Sequence, residues 1–119
     1  MFTTTKALFA LVASAVYFGS VAAFTGDVTW YNTDNGFGAC GNQLNDGELV
    51  AALSSDVYDS GANCGRTIQI EWEGHSVTAT VQDLCPGCDL TSVDLTPTAF
   101  ESLAALSVGR LTGATWNFV

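Results

Sequence analysis

The stretch from Val77 to Phe100, Val-Thr-Ala-Thr-Val-Gln-Asp-Leu-Cys-Pro-Gly-Cys-Asp-Leu-Thr-Ser-Val-Asp-Leu-Thr-Pro-Thr-Ala-Phe, decides most of what this chain can become. Val77, Ala79 and Val81 alternate with Thr78, Thr80 and Gln82, the period-two pattern of a strand buried on one face. That strand carries Asp83 to its end. Cys85-Pro86-Gly87-Cys88 then turns the chain, and a second short segment presents Asp94 just before Leu95-Thr96-Pro97, where a helix is expected to begin. Two carboxylates thus leave neighbouring elements beside a turn, where backbone groups are unpaired and side chains face outward, a natural place for ligand contact. Structural roles fit the same residues: Asp94 as a helix cap and Asp83 as a turn anchor. Both readings stand on the residues alone.

The chain starts with Met-Phe-Thr-Thr-Thr-Lys6, runs apolar from Ala7 to about Phe18 and closes on small residues at Val21-Ala22-Ala23. A positive start, about a dozen apolar residues and a small-x-small end are the parts of a secretory signal peptide. The run is shorter than the roughly 20 residues of a membrane span. Residues 1–23 are therefore expected to be removed, and residues 24–119, about 96 in number, to form one small secreted domain. That domain keeps Arg66 and Arg110 against twelve acidic residues, a net charge of about −10. Such a surface repels phosphate backbones and anionic lipid, so nucleic acid and membrane surfaces are excluded as partners, while neutral or cationic polymers are not. A monomer is expected.

All four cysteines, Cys40, Cys64, Cys85 and Cys88, lie in the secreted part. An even count in a small exported domain points to disulfides, with three possible pairings. Cys40 with Cys64 and Cys85 with Cys88 is the favoured one; the first would close a loop of some 25 residues and stabilise by about 3 kcal/mol in the chain-entropy picture. One C-x-x-C plus two isolated cysteines lacks the paired spacing of a zinc site, so no metal is expected.

In chain order, Gly26-Asp27-Val28-Thr29-Trp30-Tyr31 reads as a strand and Asn32 to Gly38 as a Gly/Asn/Asp-rich surface loop pinned by Cys40. Gly47 to Leu53 fits a strand or a short helix equally well. Ser54 to Asn63 reads as a polar loop with one helical turn, and its Asp56 and Asp59 fit no calcium-loop spacing, so they are taken as solvated. Thr67 to Trp72 and Val77 to Val81 form a hairpin around Glu73-Gly74-His75, which puts the sole histidine at the tip, away from any partner that would make it catalytic or metal-binding. Thr96 to Leu106 is the clearest helix, with Ala99, Phe100, Leu103 and Leu106 on one face. Leu111 to Val119 returns to strand alternation with Ala114, Trp116 and Phe118 on one side. Several short strands and one good helix suggest a small β-barrel.

The segments Gly26-Asp27-Val28-Thr29-Trp30-Tyr31, Gly38-Ala39-Cys40-Gly41, Asn63-Cys64-Gly65, Val81 to Cys88 and Val93 to Phe100, in this order and with these gaps, resemble the expansin-like proteins, and most closely their short secreted fungal members, the loosenins. The resemblance implies a six-stranded double-psi β-barrel with one or two short helices, the fold shared with barwin, the rare lipoprotein A domain and glycoside hydrolase family 45. In that family polysaccharide lies on one open face of the barrel, and the positions that line its groove map onto Thr29, Asp83 and Asp94. Asp94 also matches the general acid of the family 45 hydrolases. Their general base closes a Thr-x-Tyr-x-Asp pattern; here Thr29-Trp30-Tyr31-Asn32 is followed by Thr33, which is not a carboxylate, and Asp34 one residue further on is the nearest substitute. Inverting hydrolysis needs two carboxyl groups flanking the bond and a water, so losing one should abolish efficient cleavage. A tyrosine that many expansins carry two residues after the first aspartate is replaced by Cys85. The aromatic second domain of expansins has no counterpart in these residues, so sugar stacking would fall to Trp30, Tyr31 or Phe37, of which Trp30 and Tyr31 point to opposite faces as strand neighbours.

The resemblance therefore implies a secreted, non-hydrolytic protein that binds cell-wall polysaccharide, β-glucan such as cellulose or else chitin, and loosens it, with Asp94 and Asp83 bonding sugar hydroxyls, Thr29 orienting Asp94, and no cofactor. Two alternatives come with it. Small secreted relatives on this barrel inhibit proteases or act on plant hosts through loops, here 32–38 or 56–63; the second alternative is a weak glycoside hydrolase or lytic transglycosylase, for which Asp94 would be the acid.

Overall fold

The computed structural model describes residues 23–119, so the expected signal segment lies outside the described residues apart from Ala23. Six strands close into a barrel: β1 (Phe24–Trp30), β2 (Val50–Leu53), β3 (Thr67–Trp72), β4 (His75–Leu84), β5 (Val93–Leu95) and β6 (Arg110–Phe118), in the order β1-β5-β2-β4-β3-β6. β1 pairs with β5 and β2 with β4 in parallel; every other pairing is antiparallel. Closure leaves no open sheet edge.

β4, the longest strand at 10 residues, serves its two neighbours in succession. Its first half pairs with β3 from Trp72–His75 to Thr67–Thr80, and its second half pairs with β2 from Val50–Thr80 to Leu53–Leu84. The strand expected over Val77 to Val81 is thus longer at both ends. Glu73 (φ 45°) and Gly74 (φ 85°) alone make the hairpin turn, as the mirror-image turns of two-residue hairpins require, and His75 is the first residue of β4, paired with Trp72, instead of part of the turn.

The ambiguous segment before Leu53 resolves as β2, with all four residues buried. A strand covered on both faces reads as a continuous apolar run, which is why periodicity alone did not separate it from a helix. The helical turn foreseen after Ser54 is α1 (Ser55–Tyr58), capped by the Ser54 hydroxyl, and a 3₁₀ turn follows at Asp59–Gly61.

The helix expected from Thr96 to Leu106 is much shorter. α2 covers Pro97–Glu101, and the chain leaves it through Ala105 in an extended conformation (ψ 145°) into a 3₁₀ turn at Leu106–Val108. The indole Nε1 of Trp30 donates to the Leu106 carbonyl at 3.0 Å, so a tertiary contact takes a group that a longer helix would have placed elsewhere. Short helices depend on such packing more than on propensity. Ala99, Phe100 and Leu103 are buried as expected, whereas Leu106 is only half-buried.

The core is one cluster in which Val28, Leu53, Ile68, Ile70, Val81, Val93, Phe100, Leu111 and Trp116 are all but fully buried. In β6 the parity changes at Gly113 (φ 74°), so that Leu111 and Ala114 both point inward, and the register with β1 shifts between Gly26 and Val28. Thr96, fully buried, satisfies its hydroxyl twice: it donates to the Glu48 carbonyl and accepts from the Val50 amide. No helix among the described residues is long and apolar enough to cross a membrane.

Candidate functional site

The pairing registers place the expected residues in one row across four strands. Thr29 on β1 lies opposite Asp94 on β5, Asp94 opposite Ala52 on β2, and Ala52 opposite Asp83 on β4. With strands about 4.8 Å apart, the two aspartates are anchored roughly 10 Å from each other with an alanine between them. Val28 belongs to the core and Trp30 packs against it, so the alternation of β1 turns Thr29 and Tyr31 to the other face, beside the aspartates. Of the two aromatic neighbours, Trp30 is therefore the packing residue.

Thr29 Oγ1 donates to Asp94 Oδ1 at 2.9 Å. Burial raises the Asp94 pKa above its ordinary 3.8; the Thr29 hydrogen bond opposes this, the charge of Asp83 adds to it, and Arg110 counters in part. A carboxyl group that keeps its proton to higher pH can donate a hydrogen bond to a sugar oxygen as well as accept one. Asp94, Thr29 and Arg110 line a cavity of about 330 Å³, walled on one side by Cys85, Gly87 and Cys88. The expected disulfides are both present, Cys40 to Cys64 and Cys85 to Cys88, and the second stands where many expansins carry a tyrosine.

Asp83 has different surroundings. Its Oδ2 accepts the Tyr31 hydroxyl at 2.7 Å, and its Oδ1 accepts the backbone N–H groups of Ala39 and Leu84, each at 2.9 Å. Burial, the hydrogen bond to Asp83 and the charges of Asp83, Asp94 and Asp46 push the Tyr31 phenol well above its usual range, so Tyr31 stays a neutral donor. Tyr31 is thus committed to Asp83 through its polar end.

The Ala39 amide belongs to the loop that presents Phe37, a residue 74% exposed. Within two residues, Gly38 passes so close to β4 that a Cβ there would collide with the Gln82 carbonyl, which leaves glycine as the residue that fits. Thr33, at the position of the hydrolases' base, points to another acid: its N–H and Oγ1 donate to Asp46 Oδ1 at 2.7 and 2.8 Å. Asp34, the nearest substitute by sequence, is an exposed turn residue with φ 53°. Asp46 and Arg110 were not singled out from the sequence, because nothing local marks an Asp-Gly in a polar loop or an Arg after a Gly as part of a site.

A cavity of about 360 Å³ sits at the β3–β4 turn, lined by Glu71, Trp72, Glu73 and His75. His75 and Asp83 are eight residues apart along β4, about 26 Å at strand rise, so this cavity is at the far end of the barrel from the aspartates. His75 is exposed there. Among the described residues no group of three or more His, Cys, Asp or Glu side chains is arranged to hold a metal ion.

The closed six-strand order with its parallel β1–β5 and β2–β4 pairs, and a row of Thr and two Asp at one mouth, defines an expansin-like double-psi β-barrel. The family model described as lytic transglycolase matches residues 23–113, and the chain belongs to that family. It is 37% identical over 102 residues to the papain inhibitor of Streptomyces mobaraensis, covering 80% of this chain and 71% of that one. It is 31% identical to an EG45-like domain containing protein of Citrus jambhiri, covering 91% of this chain and 87% of that one. Among solved structures, the Clavibacter michiganensis expansin in complex with cellohexaose superposes with a TM-score of 0.75 at 24% identity, covering 82% of this chain and 50% of that one. The chain spans half the length of that expansin, and the likeness is one of fold.

Proposed function

We propose that this chain is a secreted, monomeric, non-hydrolytic protein that binds cell-wall polysaccharide, β-glucan such as cellulose or else chitin, and loosens it. The observation that carries the reading is Asp94, held by Thr29 at 2.9 Å on an open mouth of the barrel, while the position of a second catalytic carboxylate is Thr33. A carboxyl group with a raised pKa beside a cavity bonds sugar hydroxyls in either protonation state. Efficient inverting cleavage would need a second carboxyl placed for a water. Binding energy spent on one chain then displaces it from its neighbours without breaking a covalent bond. The expansin solved with cellohexaose supports a glycan ligand.

The test is extension of wet cellulose paper under constant load, with new reducing ends counted in the same samples, for wild type and Asp94→Asn. Extension without new ends, at least halved in Asp94→Asn, is the expected result. New ends that disappear with Asp94 would make the protein a glycan-cleaving enzyme, in line with the description of its family.

A protease-inhibitor reading has its own support in the similarity to the papain inhibitor and in the exposed Phe37 on a disulfide-pinned loop. Titrating papain with the purified protein decides it: stoichiometric loss of activity, abolished by Phe37→Ala, would favour that reading.

A further inference from the structure

We infer that Asp83 and Asp46 are positioning residues that clip the 33–44 loop, with its aromatic Phe37, to the barrel mouth, and that Asp94 is the acid left to meet the polysaccharide. The division rests on the polysaccharide reading above only for the identity of the ligand; the clips are properties of the chain itself. Both oxygens of Asp83 are engaged inside the protein, Oδ2 by the Tyr31 hydroxyl and Oδ1 by the Ala39 and Leu84 amides. Three internal donors fill all but about one of the acceptor sites of Asp83, which leaves a sugar hydroxyl a single approach, to Oδ2 beside the Tyr31 hydroxyl. Asp94 receives one internal donor, Thr29, and lines the cavity.

The loop is tied at successive points. Asp46 holds its start through the N–H and hydroxyl of Thr33. The Gly36 amide closes a turn onto the Thr33 carbonyl at 2.9 Å, and the Gln43 side chain donates to the Asn35 carbonyl at 2.8 Å. Phe37 forms an isolated bridge with Gln43, Ala39 is held by Asp83, and Cys40 is bonded both to Cys64 and, through its amide, to the Gln82 carbonyl. An exposed aromatic ring on an irregular loop ordinarily loses freedom on binding. Here most of that ordering is complete before a ligand arrives, which is how preorganisation raises affinity. The pyranose face, flat and apolar on its C–H side, is the chemistry such a ring suits.

The experiment combines amide hydrogen exchange with cellohexaose and chitin-hexamer affinities on Asp83→Asn, Asp46→Asn, Asp94→Asn, Phe37→Ala and the double variant Asp83→Asn with Phe37→Ala. Asp83→Asn removes the negative charge that strengthens the bonds from the Ala39 and Leu84 N–H groups, while its new NH₂ can donate to the Tyr31 hydroxyl oxygen. The expected result is an Ala39 amide exchanging at least tenfold faster in Asp83→Asn, a Thr33 amide doing the same in Asp46→Asn, and neither changing in Asp94→Asn. Tyr31 should titrate closer to its ordinary range in Asp83→Asn, which a merely destabilised barrel would not produce selectively. Because Asp83 acts through the loop, its affinity loss, about fivefold, should vanish in the Phe37→Ala background. Multiplying losses, or sugar binding lost with Ala39 exchange unchanged, would overturn the inference and make Asp83 a direct sugar ligand. Should Asp83→Asn fail to fold, Tyr31→Phe removes one of its donors and gives a graded version of the same loop readout. If neither hexamer binds wild type while the exchange pattern holds, the clips stand and the polysaccharide reading falls.

Discussion

A single residue, Asp94, shows how placement changes chemistry. Its folded pKa is raised, with burial as the main cause, so the native state holds the proton more tightly than the unfolded chain does. Stability therefore declines as pH rises from the unfolded value of about 3.8 through the folded one, and above that the full cost of the buried charge is present. Asp94→Asn removes the charge while its amide oxygen can still accept from Thr29. We expect a higher Tm than wild type at pH 7 and no difference below about pH 3.8 in thermal scans across that range. A Tm gain that persists unchanged at pH 3 would show that the effect is not electrostatic. The gain at neutral pH, with loosening lost, would also be the stability–activity trade-off expected of a functional residue.

At the scale of elements, the two disulfides do different work. Cys40–Cys64 spans 24 residues and pins the β1–β2 connection that carries Phe37, whereas Cys85–Cys88 spans 3 and walls the Asp94 cavity. In the chain-entropy picture the long bridge contributes about 3 kcal/mol and the short one about 2. Paired Cys→Ala substitutions followed by urea unfolding should reproduce that order for Cys40 with Cys64 against Cys85 with Cys88. The short bridge should matter more to sugar binding than its stability share suggests, since it shapes the cavity below Asp94. Equal stability losses with no effect of the Cys85 and Cys88 pair on binding would contradict this division.

The molecule as a whole is strongly acidic, and Arg110–Asp27, an exposed pair at 2.9 Å, is the ion pair found among the described residues. Such a pair is worth little at the surface, so the net effect of charge on the fold is self-repulsion. Raising salt from about 20 to 200 mM screens that repulsion and should raise Tm, while leaving affinity for a neutral glucan nearly unchanged. A falling Tm in calorimetry would mean that favourable ion pairs outweigh repulsion.

The strands β3, β4 and β6 and the hairpin between β3 and β4 were legible in the sequence because a half-buried strand writes its environment as alternation, and β1 because its β-branched and aromatic residues favour a pleated strand. The barrel family was legible too, from motifs whose order and gaps run through nearly all of residues 24–119, and with it the row of Thr29, Asp83 and Asp94. β2 was ambiguous because burial on both faces erases the period. The length of α2 was overestimated because local apolar spacing cannot register that Trp30, 76 residues away, bonds the Leu106 carbonyl. The same holds for the site. That Asp83 is engaged at both oxygens by Tyr31 and the Ala39 and Leu84 amides, that Thr33 holds Asp46, and that burial raises Asp94 follow from contacts across 13 to 52 residues as well as between neighbours. Residue types and their local periods are properties of the chain, but which carboxylate is bonded at both oxygens within the protein and which lines a cavity with one internal donor depends on distances that exist only once the barrel has closed.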